Sequence, residues 1–125
     1  TKAVQELAEA MKRAEEEDYQ RAMADTYGGK TPQETLQMYI DAVEKGDYEL
    51  ASKYFIGDRQ EEELRSFENS KNVQKEIIEN YIKTLKSVVN KEGKYALDKK
   101  YFSFDGSILV RMKLYPNNIW KIIEI

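Results

Sequence analysis

Residues 94–125 read KYALDKKYFSFDGSILVRMKLYPNNIWKIIEI, and here the apolar spacing changes from helical to alternating. Tyr, Phe, Ile, Val and Trp suit a pleated, half-buried surface. Asp105-Gly106 and Asn117-Asn118 interrupt the run, and both pairs tolerate the positive φ that a two-residue hairpin needs. The reading is a three-stranded antiparallel meander over Tyr95–Phe104, Ser107–Tyr115 and Ile119–Ile125. Two-residue turns set Phe102 against Leu109, Tyr101 against Val110, and Tyr115 against Trp120. The same register pairs Arg111 with Glu124 and Met112 with Ile123. One sheet face then carries Leu97, Tyr101, Ile108, Val110, Met112, Leu114, Ile123 and Ile125. The other carries Phe102, Phe104, Leu109, Tyr115, Trp120 and Ile122 among Lys100, Arg111 and Lys113. Two apolar faces require two covers, helices on one and the N-terminal helix or a second subunit on the other.

Upstream of residue 94 the spacing is helical. Residues 72–90 place Val73, Ile77, Ile78, Tyr81, Ile82, Leu85, Val88 and Val89 on one broad face, which predicts the central core helix. Glu79 precedes Lys83 by four residues, the favourable order for an ion pair. Thr31-Pro32-Gln33-Glu34 is a capping box with proline at the first helical position, followed by Leu36, Tyr39, Ile40 and Val43 at i, i+3, i+4 and i+7. Gly46 supplies a left-handed stop and Asp47 a cap for a short helix bearing Leu50, Ala51, Tyr54 and Phe55. Gly57 stops that helix, and Asp58-Arg59-Gln60-Glu61 opens another with Leu64 and Phe67. Residues 2–24 are strong helix formers with no Gly or Pro, and Val4, Leu7, Met11 and Ala14 make a narrow stripe. This reads as a long, weakly amphipathic helix, a stalk or a cover, with Gly28-Gly29 as linker. The expected organisation is a helix or stalk over 1–30 and an α+β domain over 31–125, several helices packed on the meander.

Length and composition bound the function. A chain of 125 residues supports one domain with a core of its own. It has no Cys and no His, which excludes disulfides, thiolate or imidazole metal sites, and Ser-His-Asp chemistry. The net charge of −3 argues against broad nucleic-acid binding, and a mean hydropathy of −0.76 with no long apolar run predicts no transmembrane span. Residues 91–125 nonetheless carry seven basic and four acidic side chains, so the tail is basic while the rest is acidic. The chain opens at Thr1 without Met, which suggests a trimmed start; a signal peptide or anchor is compatible with that, but none is visible to argue from.

Several patterns invite a chemical reading. Asp41, Glu44, Asp58 and Asp98 fall near apolar faces, where a desolvated carboxylate acts as a general base; a cap or surface charge is the plainer reading. Glu61-Glu62-Glu63 splay around a helix rather than converge on a cation. Gly28-Gly29-Lys30-Thr31 lacks the first glycine of a phosphate-binding loop. No metal and no cofactor is expected. Tyrosine stands out, at nine of the chain's aromatic residues. Tyr39, Tyr54, Tyr81 and Tyr101, with Met112, fall on inward faces and are the pocket candidates, since a tyrosine ring lines a cavity and its hydroxyl adds a polar point. Phe102, Phe104, Leu109, Tyr115 and Trp120 are the interface candidates.

Thr31–Phe55, with Tyr39, Ala42, Gly46-Asp47-Tyr48 and Ala51, resembles the opening of nuclear transport factor 2-like domains. Asn118-Ile119-Trp120-Lys121-Ile122 resembles the last strand of the same cystatin-like superfamily. The resemblance covers residues 31–125, and is nearest to small bacterial secreted proteins and lipoproteins of unknown function. A strand that the family often places between its second and third helices is not evident. Tyr39, Ala42, Gly46, Tyr48, Ala51 and Tyr54 also echo a tetratricopeptide pair, but no second repeat follows. The resemblance implies a cone-like fold, a place outside the cytoplasm, and membrane attachment only through a missing N-terminal anchor. The expected function is a non-catalytic domain that binds a small hydrophobic or amphipathic ligand or a protein partner, a homodimer included. The alternative is an isomerase- or lyase-like enzyme using a buried Asp and tyrosine hydroxyls.

Overall fold

Helix-forming residues and a threonine cap carry Lys2–Ala24 into α1 of the computed structural model, which describes residues 1–70 and 72–125. Thr1 Oγ1 accepts from Val4 N at 3.3 Å. No residue of α1 is buried, and Val4, Leu7 and Met11 face solvent. The helix therefore covers neither sheet face.

In α2 (Pro32–Glu44) the Thr31 hydroxyl accepts from Glu34 N at 3.1 Å, a bond whose loss typically costs about 1 kcal/mol. Glu34 reaches back one residue further than expected, its Oε2 accepting from Lys30 N at 2.8 Å. Leu36, Tyr39, Ile40 and Val43 are buried, as the spacing requires. Gly46, at φ +72°, ends the turn, and Asp47 caps α3 (Tyr48–Lys53) by accepting from Leu50 N. In α4 (Gly57–Asn69) the expected cap is corrected. Ile56 occupies the N-cap, Gly57 is the first helical residue, and Asp58 lies in the first turn, where its charge suits the helix dipole. Helix α5 (Lys75–Val89) buries Leu85, Val88 and Val89.

The sheet has four antiparallel strands in the order β1 (Gly93–Tyr95), β2 (Tyr101–Phe104), β3 (Val110–Leu114), β4 (Trp120–Glu124), where three were expected. The run from Tyr95 to Phe104 is broken by a turn at Leu97–Lys100. Lys99 takes φ +59° there, and Asp98 Oδ1 accepts from Lys100 N at 3.0 Å. Asp-Gly does not make a two-residue turn. Gly106 keeps an ordinary φ, and a Cβ on it would meet Val88 at 2.9 Å, so α5 packs over the site of the expected turn. The loop widens, and Phe104 pairs with Val110 and Phe102 with Met112.

The second hairpin adds one residue to its turn. Tyr115 N donates to Ile119 O at 2.8 Å and Asn118 sits at φ +69°, the three-residue loop with a left-handed last position. Leu114 thus faces Trp120, and Met112 faces Ile122 rather than Ile123. A bulge at Arg111/Met112 still brings Arg111 opposite Glu124, with an ion pair of 2.8 Å.

These shifts re-sort the faces. Phe102, Phe104, Val110, Met112, Trp120 and Ile122 all lie buried on one side, against Leu36, Ile40, Leu85 and Val88. The other side presents Tyr101, Ser103, Arg111 and Lys113, with Lys121 on the same side but buried at the β4 edge. The sheet has one apolar face, not two, and α2 and α5 contribute to its cover.

Candidate functional site

The tyrosines expected to share a pocket separate in space. Tyr39 is buried on α2, edge-on to Phe55 at 5.5 Å, with its hydroxyl 2.9 Å from that of Tyr81 on α5. Burial pushes the Tyr39 hydroxyl far above its usual range, and Tyr81 and the charge of Glu63 add to this. Burial also raises the Tyr81 hydroxyl, with the bond to Tyr39 opposing the shift. Neither group is a base at neutral pH. Glu63 is itself held by Arg59 at 3.2 Å. Tyr54 lies elsewhere, edge-on to Tyr27 at 6.4 Å. Tyr101 is 39 % exposed on the polar side of the sheet, and Met112 is sealed in the core.

Tyr81 instead opens onto a groove between α2, α4 and α5. Val43, Tyr48, Phe67, Val73, Ile77, Ile78 and Tyr81 line a hollow of about 300 Å³, with Ser66 and Ser70 as polar points. Tyr48 and Phe67 stack at 4.9 Å and give it a flat aromatic wall. Ile77 remains 56 % exposed there. The hollow adjoins a wider mouth of about 660 Å³, lined by Lys45, Lys75, Lys83 and Lys86 with Glu44 and Glu79. Sequence reasoning placed Val73, Ile77 and Ile78 in the core. The signal for a groove was the breadth of the α5 stripe, wider than one neighbour can bury.

A second concentration of polar groups closes the outer edge of β4. Lys121 is fully buried, and its Nζ donates to Tyr27 O at 2.8 Å, to Lys53 O at 2.5 Å and to Asp25 Oδ2 at 2.9 Å. All three ammonium donors are satisfied. Burial holds Lys121 below its ordinary pKa, and Asp25 partly restores it. Beside it Trp120 N donates to Gly29 O, Gly29 N donates to Thr35 Oγ1, and that hydroxyl donates to Trp120 O. A Cβ on Gly28 would meet Trp120 O at 2.4 Å, and one on Gly29 would meet Glu34 Cβ at 2.5 Å. The expected linker is therefore a stretch packed at close quarters. Phe55 adds a parallel bridge to Ile122 on the same edge.

Of the interface candidates, Phe102, Phe104 and Trp120 are inside the chain's own core, because the hairpin registers turn them toward the helices. Leu109 is exposed, and the half-buried Tyr115 hydroxyl accepts from Gly57 N at 3.1 Å. The four candidate carboxylates are all at the surface. Asp41 accepts from Gln37, Glu44 pairs with Lys86, Asp58 lies in the α4 first turn, and Asp98 holds its own turn. Among the described residues no carboxylate lines the apolar hollow. Among the described residues no cluster of three carboxylates is placed to hold a metal ion, and no helix is long and apolar enough to cross a membrane.

Comparison of the chain with protein-family models, with curated proteins and with solved structures finds no match. The functional reading therefore rests on the groove and its chemistry.

Proposed function

We propose that the chain is a non-catalytic binding domain whose groove between α2, α4 and α5 takes the apolar part of a small amphipathic ligand. The observation that carries this reading is the hollow itself. Its volume lies at the lower end of the range for small-molecule sites, and its aromatic walls with few polar points match their usual chemistry. The enzymatic alternative needs a carboxylate free to act beside the tyrosine hydroxyls: the four candidates lie at the surface with local roles, and Glu63, whose charge does reach Tyr39 and Tyr81, is held by Arg59. The resemblance to nuclear transport factor 2-like domains suggests a cone-like arrangement and a place outside the cytoplasm. The Phe55–Ile122 bridge, between α3 and α4, supports the cone, since the resemblance leads one to expect a strand in that region.

Native mass spectrometry of the freshly purified chain, beside its denatured mass, tests the reading. The expected result is an adduct that disappears on denaturation and is absent from an Ile78→Asp variant that remains folded by circular dichroism. A chain that carries no adduct, and whose amide spectrum does not respond to methyl decanoate, defeats it.

A further inference from the structure

The mouth of the groove is unevenly charged. Four lysines and two glutamates line it, in a chain whose net charge is −3. Glu44 is held by Lys86 at 2.5 Å, and Glu79, expected to pair with Lys83, lies 3.8 Å from Lys75 instead. Lys45 and Lys83 remain, and among the described residues neither has a carboxylate within 4.0 Å. Lys45 is the C-cap of α2, while Lys83 lies on α5, so the two unpaired cations approach the mouth from different elements. The apolar hollow and this mouth share Val43, Tyr48, Val73 and Ile78 and are therefore continuous.

We propose that the ligand is an amphipathic anion, a single apolar chain with a carboxylate-, phosphate- or sulfate-type head. The inference rests on the binding reading above and deepens it by naming the ligand class. The chain lies along Phe67, Ile77 and Tyr81, which removes apolar surface from water on both partners. The head stays at the wet rim between Lys45 and Lys83, where it keeps most of its hydration while gaining two opposite charges. A neutral amphiphile of the same length gains only the first of these contributions. Charge complementarity selects the occupant, because the unpaired charge at the mouth is positive against the sign of the whole chain.

Decanoate and methyl decanoate, titrated below their aggregation limits at low salt and followed by amide chemical shifts, separate the two contributions. Both are expected to perturb residues 43–48 and 66–83, with decanoate binding about tenfold tighter. The double variant Lys45→Gln/Lys83→Gln is expected to bring decanoate down to the affinity of the ester and to leave the ester unchanged. Added salt should narrow the difference in the native protein. Equal binding of acid and ester overturns the anionic inference while the binding reading survives. Binding of neither overturns both. Sedimentation with phosphatidylglycerol vesicles, without decanoate binding, assigns the basic mouth to a membrane surface and overturns the small-ligand proposal.

Discussion

Helix α2 meets β4 on one flank and the α4–α5 groove on the other, and the two flanks treat buried groups differently. On the β4 side, Thr35 ties Gly29 to Trp120, and Lys121 gives its three ammonium protons to Tyr27 O, Lys53 O and Asp25. The Trp120 carbonyl leaves Gly28 no room for a Cβ, and the Glu34 side chain leaves Gly29 none. On the groove side, Tyr48, Phe67 and Ile77 leave apolar surface open, and the polar atoms stay at the rim. The first flank has the character of a structural joint, where any missing atom costs stability. On the proposed binding reading, the second is a surface left for another molecule, where a lost side chain should cost binding and little else.

The largest expected effect breaks the joint. Lys121→Ala leaves two backbone carbonyls and Asp25 without their donor, and removing one partner of such a buried cluster costs about 3–5 kcal/mol. Urea unfolding measures this. Lys121→Met sharpens the point, because it restores the stem but not the donors and should keep most of the loss; a Met variant as stable as the native protein would make the clamp energetically neutral. The same lysine has a pH signature. Its folded pKa is lowered from the ordinary 10.5, so the unfolded chain holds this proton to higher pH than the native one. Its contribution to stability therefore rises as pH climbs through the lowered value toward 10.5, and Lys121→Met should remove that rise.

Gly28→Ala comes next, at about 1–3 kcal/mol, the usual range for overpacking at a site that cannot yield. A neutral result in thermal unfolding would show that the segment moves off β4 without penalty. A smaller effect is expected at the boundary between the flanks, where Tyr81→Phe removes the partner of the buried Tyr39 hydroxyl and costs about 1 kcal/mol. Both hydroxyls are raised above the ordinary 10.0, so the native chain keeps protons that the unfolded chain loses. Stability falls as pH rises past 10.0, and Tyr81→Phe should make that fall shallower. The smallest stability effect belongs to the groove. Ile77→Ser should change unfolding by no more than about 0.5 kcal/mol while sharply weakening methyl decanoate binding. A large loss of stability there would turn the groove back into core.

Much of the helical half was legible because its signals are local. Thr31, Pro32, Gly46 and Asp47 act within four residues of themselves, and the apolar positions of α2 repeat at the helical period whatever lies opposite. The sheet was legible as alternation and as a succession of hairpins, and only partly as register. Asp105-Gly106 can form a tight turn, but Val88 on α5 packs against Gly106 and the loop opens instead. The β2–β3 pairing lies three residues away from the one a tight turn would set, and an odd shift exchanges the faces of one strand relative to the other. Trp120 and Phe102 then belong to the core rather than to a partner.

The sequence by itself determined the class, helices followed by an antiparallel meander, together with the Thr31 and Asp47 caps and the absence of imidazole and thiol chemistry. Period and turn chemistry are properties of neighbouring residues, and no distant contact is needed to express them. Only the tertiary structure decided that Lys121 is buried, that Gly28 and Gly29 are packed, and that Tyr39 meets Tyr81 while Tyr54 and Tyr101 do not. Lys121 and Tyr27, Gly28 and Trp120, and Tyr39 and Tyr81 are 42 to 94 positions apart in the chain and come within a few ångströms. The free energy of such contacts comes from desolvation and close approach, which no local pattern records.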